Sequence, residues 1–314
     1  MEKHHVAMGT IVRIALYAGE DEADELFALA AEQIDAIDSS LSNYRAESAV
    51  GRLNSAGSLD DGGGVPELGF VVERCLHWSR RTGGAYDPTV GPLTALWNFP
   101  EAVAPPDSAL VDSARALVDF RLVQVGPAGT ALSAPGMRVD LGGSAKGYAV
   151  DRAVEALRDA GLEAGLVEAG GDIRYWGEKP DGSDWRLGLL HPRECERYLV
   201  AEKVGLPALA TSGDYEQAFE FEGRRYHHLL DPATGYPAAR AISASVWTET
   251  ALDADILATA VFVMGPDEGI GFVETLPRAE AVVFFLEDGA VRHRASSGLD
   301  GRLKEMTVPR NPLE

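Results

Sequence analysis

The chain is predicted to fold as an α+β protein, because helical and strand patterns are mixed along it without regular βαβ alternation. Hydrophobic residues make up 46% of its 314 residues, which is enough for a substantial core. Neither an internal repeat nor a clear linker interrupts the pattern. We therefore expect residues 1–314 to form one compact unit with two lobes.

Helical periodicity predicts helices at 20–38, 67–81, 146–160 and 252–264. The second is expected to end at Gly83-Gly84 and the third at Gly161, because glycine commonly follows the last helical residue. The fourth helix is the most apolar of the set. That composition is typical of a helix in the core.

Apolar patterns predict strands at 6–17, 162–168, 185–190 and 206–211. Segment 281–286, followed by Asp288-Gly289, predicts a closing hairpin. Segment 55–66 is a Gly-rich, acidic loop, and 102–106 is a connection that contains proline.

The net charge of −21 restricts the partners that this chain can bind. It argues against nucleic acid and against an anionic membrane surface, since both require a basic face. The sequence contains no run of 18 apolar residues, so it predicts no membrane-spanning helix. The two cysteines, Cys75 and Cys195, argue against a disulfide framework or a cysteine metal site.

The first residues carry neither an apolar leader segment nor a cleavage site. The expectation from this sequence is a cytoplasmic protein. The alternative is an exported protein whose leader is not part of this sequence.

A Gly-rich turn at 140–147 runs from a strand-like segment into a helix and carries Lys146. Glycines let a phosphate approach the backbone, and the helix start offers free N–H groups to an anion. This pattern indicates a phosphorylated ligand. The alternative is a tight turn without any ligand, and the GxxxxGK[ST] loop of common nucleotide folds is absent.

Asp255 and Thr259 lie four residues apart in the most apolar predicted helix, so their oxygens share one face. A buried carboxylate requires a partner. Mg²⁺ would be satisfied by an Asp oxygen, a Thr hydroxyl and a nearby backbone carbonyl. The alternative is a carboxylate that interacts with the first-turn amides of its own helix.

Two further clusters suggest ligand contacts. In the turn 83–93, Tyr86 could stack on a planar ring while Asp87 accepts a hydrogen bond from it; an ordinary loop is the alternative. The pair His227-His228 precedes an Asp-Pro-x-Thr-Gly turn, and a histidine near a metal-bound phosphate can act as a general base. A histidine bonded to the backbone is the alternative.

Together these segments resemble the ApbE family, the FAD:protein FMN transferases. The matching segments follow the family's order: Met8-Gly9-Thr10, Leu41–Arg45 with Leu53-Asn54, Gly84–Thr89, Asp140–Gly143 with Lys146-Gly147, Ala169–Asp172, Thr211–Gly213, His228 with Asp231-Pro232 and Thr234-Gly235, and Ala254-Asp255 with Thr259.

The resemblance implies a single α+β unit with FAD bound between two lobes. It implies Mg²⁺-dependent cleavage of the FAD pyrophosphate and transfer of FMN to a Thr or Ser hydroxyl of an acceptor flavoprotein, with release of AMP. Two alternatives stay open. One is an FAD pyrophosphatase that gives FMN and AMP, and the other is a flavin-binding carrier without catalysis.

The resemblance also implies roles for individual residues. Mg²⁺ would be held by the carbonyl of Gly143 with Asp255 and Thr259, and His228 would take the proton of the acceptor hydroxyl, so that Asp255 and His228 are the catalytic pair. Ser212 and Gly213 would line the acceptor side. The implied FAD contacts are Met8, Tyr44, Ala85, Tyr86, Asp87, Asp140, Lys146 and Leu230.

Overall fold

The computed structural model describes residues 1–60, 66–99 and 101–307. Within these ranges the helices are α1 (Glu20–Leu41), α2 (Ala49–Ala56), α3 (Pro66–Arg81), α4 (Gly91–Trp97), α5 (Ser108–Arg115), α6 (Ala145–Asp159) and α7 (Ala251–Val273). Residues 61–65 of the predicted loop at 55–66 lie outside the described residues. The start of that predicted loop, at 55–56, is instead the last part of α2.

The strands of the described residues are β1 (Glu2–Ala7), β2 (Thr10–Leu16), β3 (Ser58–Leu59), β4 (Val123–Gly126), β5 (Gly129–Leu132), β6 (Gly165–Ala169), β7 (Asp172–Trp176), β8 (Arg186–Leu190), β9 (Arg197–Glu202), β10 (Ala208–Gly213), β11 (Ala218–Phe221), β12 (Arg224–His227), β13 (Ser243–Thr248), β14 (Glu280–Glu287), β15 (Ala290–Ala295) and β16 (Leu303–Thr307).

An eight-stranded sheet organises the fold, in the order β1-β2-β6-β7-β10-β13-β14-β15. Every neighbouring pair in it is antiparallel. The predicted α+β class is therefore confirmed. The predicted closing hairpin is confirmed as β14 and β15, which are joined at Asp288-Gly289.

The single strand predicted at 6–17 is wrong, because the chain reverses inside it. Strands β1 and β2 form a hairpin in which Val6 pairs with Ile11. Met8 and Gly9 make the turn with φ angles of 53° and 71°. Positive φ is uncommon for methionine, so no turn signal stood at that position apart from one glycine.

The sheet is covered on both faces. On one face α6 packs between α1 and α7, while α7 lies along β10, β13 and β14. On the other face a three-stranded sheet, β16-β9-β8, encloses a second apolar cluster that includes Leu189, Leu199 and Trp247. The helical layer brings the starts of α6 and α7 together at the ends of the central strands.

Helix α7 extends beyond the predicted 252–264 because it resumes after a kink. Gly265 has φ 80° inside it and Pro266 follows. Arg240 donates to the Met264 carbonyl at 3.3 Å near this kink. The helix is long and apolar enough to cross a bilayer, but 67% of its most apolar 18-residue stretch is buried inside the protein.

Candidate active site

The Gly-rich loop before α6 is held in shape by Asp140. One carboxylate oxygen accepts from the Gly142 amide at 2.8 Å and from the side chain of Asn43. The other accepts from Thr94 Oγ1 at 2.6 Å. Asn43 Oδ1 in turn accepts from the Leu141 amide at 3.1 Å. Both Asp140 oxygens therefore organise the loop, while an FAD contact by Asp140 stays a prediction.

The tip of this loop lies directly against α7. A Cβ atom added at Gly143 would stand 2.9 Å from Thr259 Oγ1 and 3.4 Å from the ring of Tyr86. Thr259 Oγ1 also lies 3.3 Å from Ser212 Oγ at the end of β10. The loop, α7 and β10 thus bring a peptide unit and two hydroxyls together.

A charged cluster connects α6, β7 and α7. Lys146 Nζ lies 3.1 Å from Asp172 Oδ2 and 3.9 Å from Asp255 Oδ2. Asp172 is 2% exposed and Asp255 is 4% exposed. Two buried carboxylates consequently face a single ammonium group.

The pKa values of this cluster reflect the excess of negative charge. Burial and the neighbouring Asp255 raise the pKa of Asp172 well above its ordinary value. Burial alone would lower the pKa of Lys146, but the two carboxylates outweigh it and raise the pKa. The cluster thus has one carboxylate more than its own cation can neutralise.

The donor set of this cluster fits a hard divalent cation. Asp172 Oδ2 is a buried oxygen without a well-formed hydrogen bond. The described residues contain no group of three or more His, Cys, Asp or Glu suited to a metal, so a cation here would need hydroxyl and carbonyl oxygens as well. Thr259 lies about one turn after Asp255 in α7, and the Gly143 peptide lies next to Thr259, so these two residues are the candidates to supply them. Oxygen ligands of this kind suit Mg²⁺.

Helices α6 and α7 meet at Gly147. Its amide donates to Asp255 Oδ2 at 3.2 Å. A Cβ atom there would stand 2.2 Å from the Ala251 carbonyl oxygen and 2.9 Å from Asp255 Cβ. Only glycine allows this approach of two helix starts.

Gly147→Ala is expected to destabilise the protein. The added methyl group collides with the backbone of α7, and overpacking of this kind costs about 1–3 kcal/mol. The free energy of unfolding in urea measures the effect. Gly271→Ala is the matched control, because nothing lies within 4 Å of its added Cβ; it should be neutral or stabilising by up to about 1 kcal/mol. Equal stabilities of the two variants would contradict the close approach.

His228 follows β12 and has a ring that the protein leaves partly unpartnered. Its Nδ1 is buried without a hydrogen bond among the described residues. Burial, then the neighbouring His227 and the charge of Lys146, lower its pKa from 6.5 to about 4. The imidazole is therefore neutral at neutral pH and can accept a proton.

The two adjacent histidines differ in their surroundings. His227 Nε2 bonds to the Ala238 carbonyl at 2.9 Å, and its ring packs edge-on against Phe262. That matches the backbone-bonded alternative for one member of the pair. His227 Nδ1, like His228 Nδ1, is buried without a hydrogen-bond partner among the described residues, so the role of His228 as general base stays a prediction.

The predicted turn around Tyr86 is buried beneath the loop. The Tyr86 hydroxyl lies 3.3 Å from Cys75 Sγ, and Ala85 is partly buried against the core. The Asp87 oxygens accept from Thr89 at 2.6 and 2.8 Å and from the Phe120 amide at 3.0 Å. Asp87 therefore holds its own turn together, and the FAD contacts of Ala85, Tyr86 and Asp87 stay predictions.

The remaining predicted FAD contacts lie at separate points of the fold. Met8 is in the β1–β2 turn, and Tyr44 is 86% exposed in the segment after α1. Leu230 is buried in an apolar cluster with Trp97 and Tyr226. None of these three side chains contacts the charged cluster of Lys146, Asp172 and Asp255 in the hydrogen bonds and ion pairs of the described residues.

Asp172 is the residue that the predicted site lacked. It belongs to the segment Ala169–Asp172, which is part of the family resemblance but for which no ligand contact or catalytic task is predicted. Its signal was available as a carboxylate directly after a Gly-Gly turn between two strands. Asn43 and Thr94, which orient Asp140, were likewise not assigned.

Comparison with known proteins identifies the family. The model of the ApbE family matches residues 8–283. The FAD:protein FMN transferase of Treponema pallidum (strain Nichols) is 32% identical in an alignment 329 residues long, gaps included, that covers 95% of this chain and 87% of the relative. That of Vibrio cholerae serotype O1 is 34% identical over 271 residues, covering 84% and 80%.

Solved structures agree with the sequence relatives. The ApbE protein from Thermotoga maritima superposes with a TM-score of 0.85 at 31% identity, covering 96% of this chain and 98% of that one. The flavin transferase ApbE from Vibrio cholerae gives a TM-score of 0.85 at 28% identity, with coverages of 96% and 98%. This chain belongs to the ApbE family.

Proposed function

We propose that this protein is a Mg²⁺-dependent FAD:protein FMN transferase. The observation that carries the proposal is the cluster of Lys146, Asp172 and Asp255, with Thr259 about one turn after Asp255 in α7. Relatives that align with most of this chain bear the name FAD:protein FMN transferase, and this supports the same reaction here.

The proposed reaction is a displacement at phosphorus. The hydroxyl oxygen of an acceptor Thr or Ser attacks the FMN phosphorus of FAD, and the bond from that phosphorus to the bridging oxygen breaks. AMP leaves with the bridging oxygen and its electron pair. The hydroxyl proton passes to His228, whose lowered pKa keeps the imidazole in the accepting form.

Each residue of the cluster has a distinct task in this reaction. Asp255, Thr259 and the Gly143 carbonyl would hold Mg²⁺, which supplies positive charge at the pyrophosphate when it is bound. Lys146 would place its ammonium against a phosphate oxygen. Ser212 and Gly213 would line the acceptor side, and the loop would hold FAD between two lobes. Positioning and charge neutralisation account for most of the catalysis in phosphoryl transfer.

The acidic composition supports a metal in this role. A chain of net charge −21 repels a pyrophosphate at long range. Local cations must offset that field at the site, and Lys146 alone is already committed to two carboxylates. A divalent cation changes the sign of the local charge.

Incubation of the purified protein with FAD, Mg²⁺ and a candidate acceptor flavoprotein tests the proposal. AMP release that requires the acceptor, together with covalent FMN on it, is the expected result. AMP release at the same rate without acceptor would identify an FAD pyrophosphatase instead. Tight FAD binding with no AMP under any condition would identify a carrier without catalysis.

The pH dependence of transfer reports on His228. The protonated imidazole cannot accept a proton, so activity is present above its pKa and lost as the pH falls through that value. We expect the acid limb of kcat/KM for FAD, which reflects the free enzyme, to have its midpoint near pH 4. Rates are compared only where circular dichroism shows the folded protein. A midpoint near the ordinary histidine pKa of 6.5 would contradict the burial of this ring.

A further inference from the structure

A second set of charged contacts joins the same three elements as the active-site cluster. The cluster takes Lys146 from α6, Asp172 from β7 and Asp255 from α7. The second set takes Asp151 from α6, Arg174 from β7 and the first amides of α7. Asp172 and Arg174 are two residues apart in β7, so their side chains leave the same face of the strand.

Both carboxylate oxygens of Asp151 accept hydrogen bonds. Its Oδ1 accepts from the Ala251 amide at 2.9 Å and from Arg174 Nη1 at 2.7 Å. Its Oδ2 accepts from the Leu252 amide at 2.9 Å. Ala251 and Leu252 are the first two residues of α7, and Asp255 lies about one turn further along the same helix. The Asp151 carboxylate thereby fixes the start of the helix that carries Asp255 and Thr259.

The ionised form of Asp151 lowers the stability of the folded protein, because its carboxylate is buried. It is 5% exposed, and burial raises its pKa to about 6 although Arg174 and the two amides act to lower it. A carboxyl group whose folded pKa is raised contributes most to stability at low pH, and this contribution is lost as the pH rises towards 6. A contact retained at such a cost is typical of a functional region.

We propose that Asp151 and Arg174 are positioning residues that set the spacing of Lys146, Asp172 and Asp255, and through it the affinity of the site for a divalent cation. The inference rests on the proposed function for its kinetic part only. Neither residue touches the reacting atoms. They act through the relative positions of α6, β7 and α7.

Asp151→Asn in the full chain is the primary test. Asn has one acceptor oxygen for the two amides, and Glu155, at 3.9 Å, remains as a partner for Arg174. Arg13→Gln is the matched control, because it removes an ion pair at 2.8 Å to Glu168 that joins β2 and β6 without touching the three elements. Urea unfolding verifies that both variants fold.

Two readouts separate positioning from general stability. The first is the Mn²⁺ dissociation constant of the purified protein, measured by electron paramagnetic resonance from the signal of free Mn²⁺. The second is the division of the rate effect between kcat and KM for FAD in AMP release. For Asp151→Asn we expect the Mn²⁺ constant to rise at least about fivefold and kcat to fall about tenfold, with KM for FAD within about twofold. Arg13→Gln should match the parent in all three.

An unchanged Mn²⁺ constant and kcat in folded Asp151→Asn would overturn the inference, as would equal changes in Arg13→Gln. If Asp151→Asn does not fold, Arg174→Lys replaces it, because it keeps the positive charge but loses the planar fork. The same changes are expected, and their absence overturns the inference. If the parent releases no AMP, the proposed function fails, while the Mn²⁺ measurement still decides the positioning role.

Discussion

Asp255→Ala is expected to abolish metal-dependent turnover while the protein stays folded. Asp255 is the carboxylate that faces both the Gly147 amide and Lys146 from within α7. Metal binding at a phosphoryl group supplies several kcal/mol of transition-state stabilisation, so kcat should fall by roughly 10³-fold or more. The measurement is AMP release from FAD as a function of Mg²⁺ concentration.

The fold should survive this change because Lys146 keeps its closer partner, Asp172, at 3.1 Å. Asp24→Ala is a suitable control: it removes an exposed carboxylate that pairs with Lys3 on the surface, and its rate should equal that of the parent. Parental turnover in folded Asp255→Ala would show that the metal assignment is wrong.

His228→Ala is expected to slow FMN transfer while FAD affinity changes little. Removal of a general base costs about 10²- to 10⁴-fold in rate. The loss should appear in kcat at saturating FAD and acceptor. Flavin fluorescence should give a dissociation constant for FAD close to that of the parent.

The adjacent histidine provides the matched comparison. His227→Ala removes a ring that bonds to the Ala238 carbonyl and packs on Phe262. We therefore expect it to lower the free energy of unfolding and to leave kcat close to that of the parent. A His228→Ala variant that binds FAD poorly but turns over normally at saturation would make His228 a binding residue. Equal kinetic losses in both variants would remove the distinction between them.

Local spacing was sufficient to predict the parts of the site that lie within one element. Asp255 and Thr259 share a helix face because four residues make about one turn, and α7 is confirmed around them. Lys146 was predicted at a helix start, and α6 begins at Ala145. For such residues the chemistry can be read from the chain itself.

The partners of these residues could not be predicted in the same way. Asp172 reaches Lys146 from β7, and Ser212 reaches Thr259 from β10. These contacts depend on strand order in the eight-stranded sheet, which local patterns do not encode. The family motif that ends at Asp172 therefore does not by itself reveal the partner of this carboxylate.

Some elements were hidden by their composition. Strand β13 is buried along its whole length but contains Ser243 and Ser245, so it lacks the apolar run of a central strand. Ser245 Oγ is paired with Thr211 Oγ1 at 2.8 Å, which makes its burial acceptable. The short helix α4 begins with Gly91-Pro92 and was not predicted as a helix.

The most direct test of this account is the intact mass of an acceptor flavoprotein after incubation with this protein, FAD and Mg²⁺, with AMP quantified in the same sample. We expect a mass increase equal to one FMN less one water, one AMP for each FMN attached, and neither product when Mg²⁺ is removed by a chelator. AMP without any change in the acceptor's mass, or no AMP at all, would contradict it.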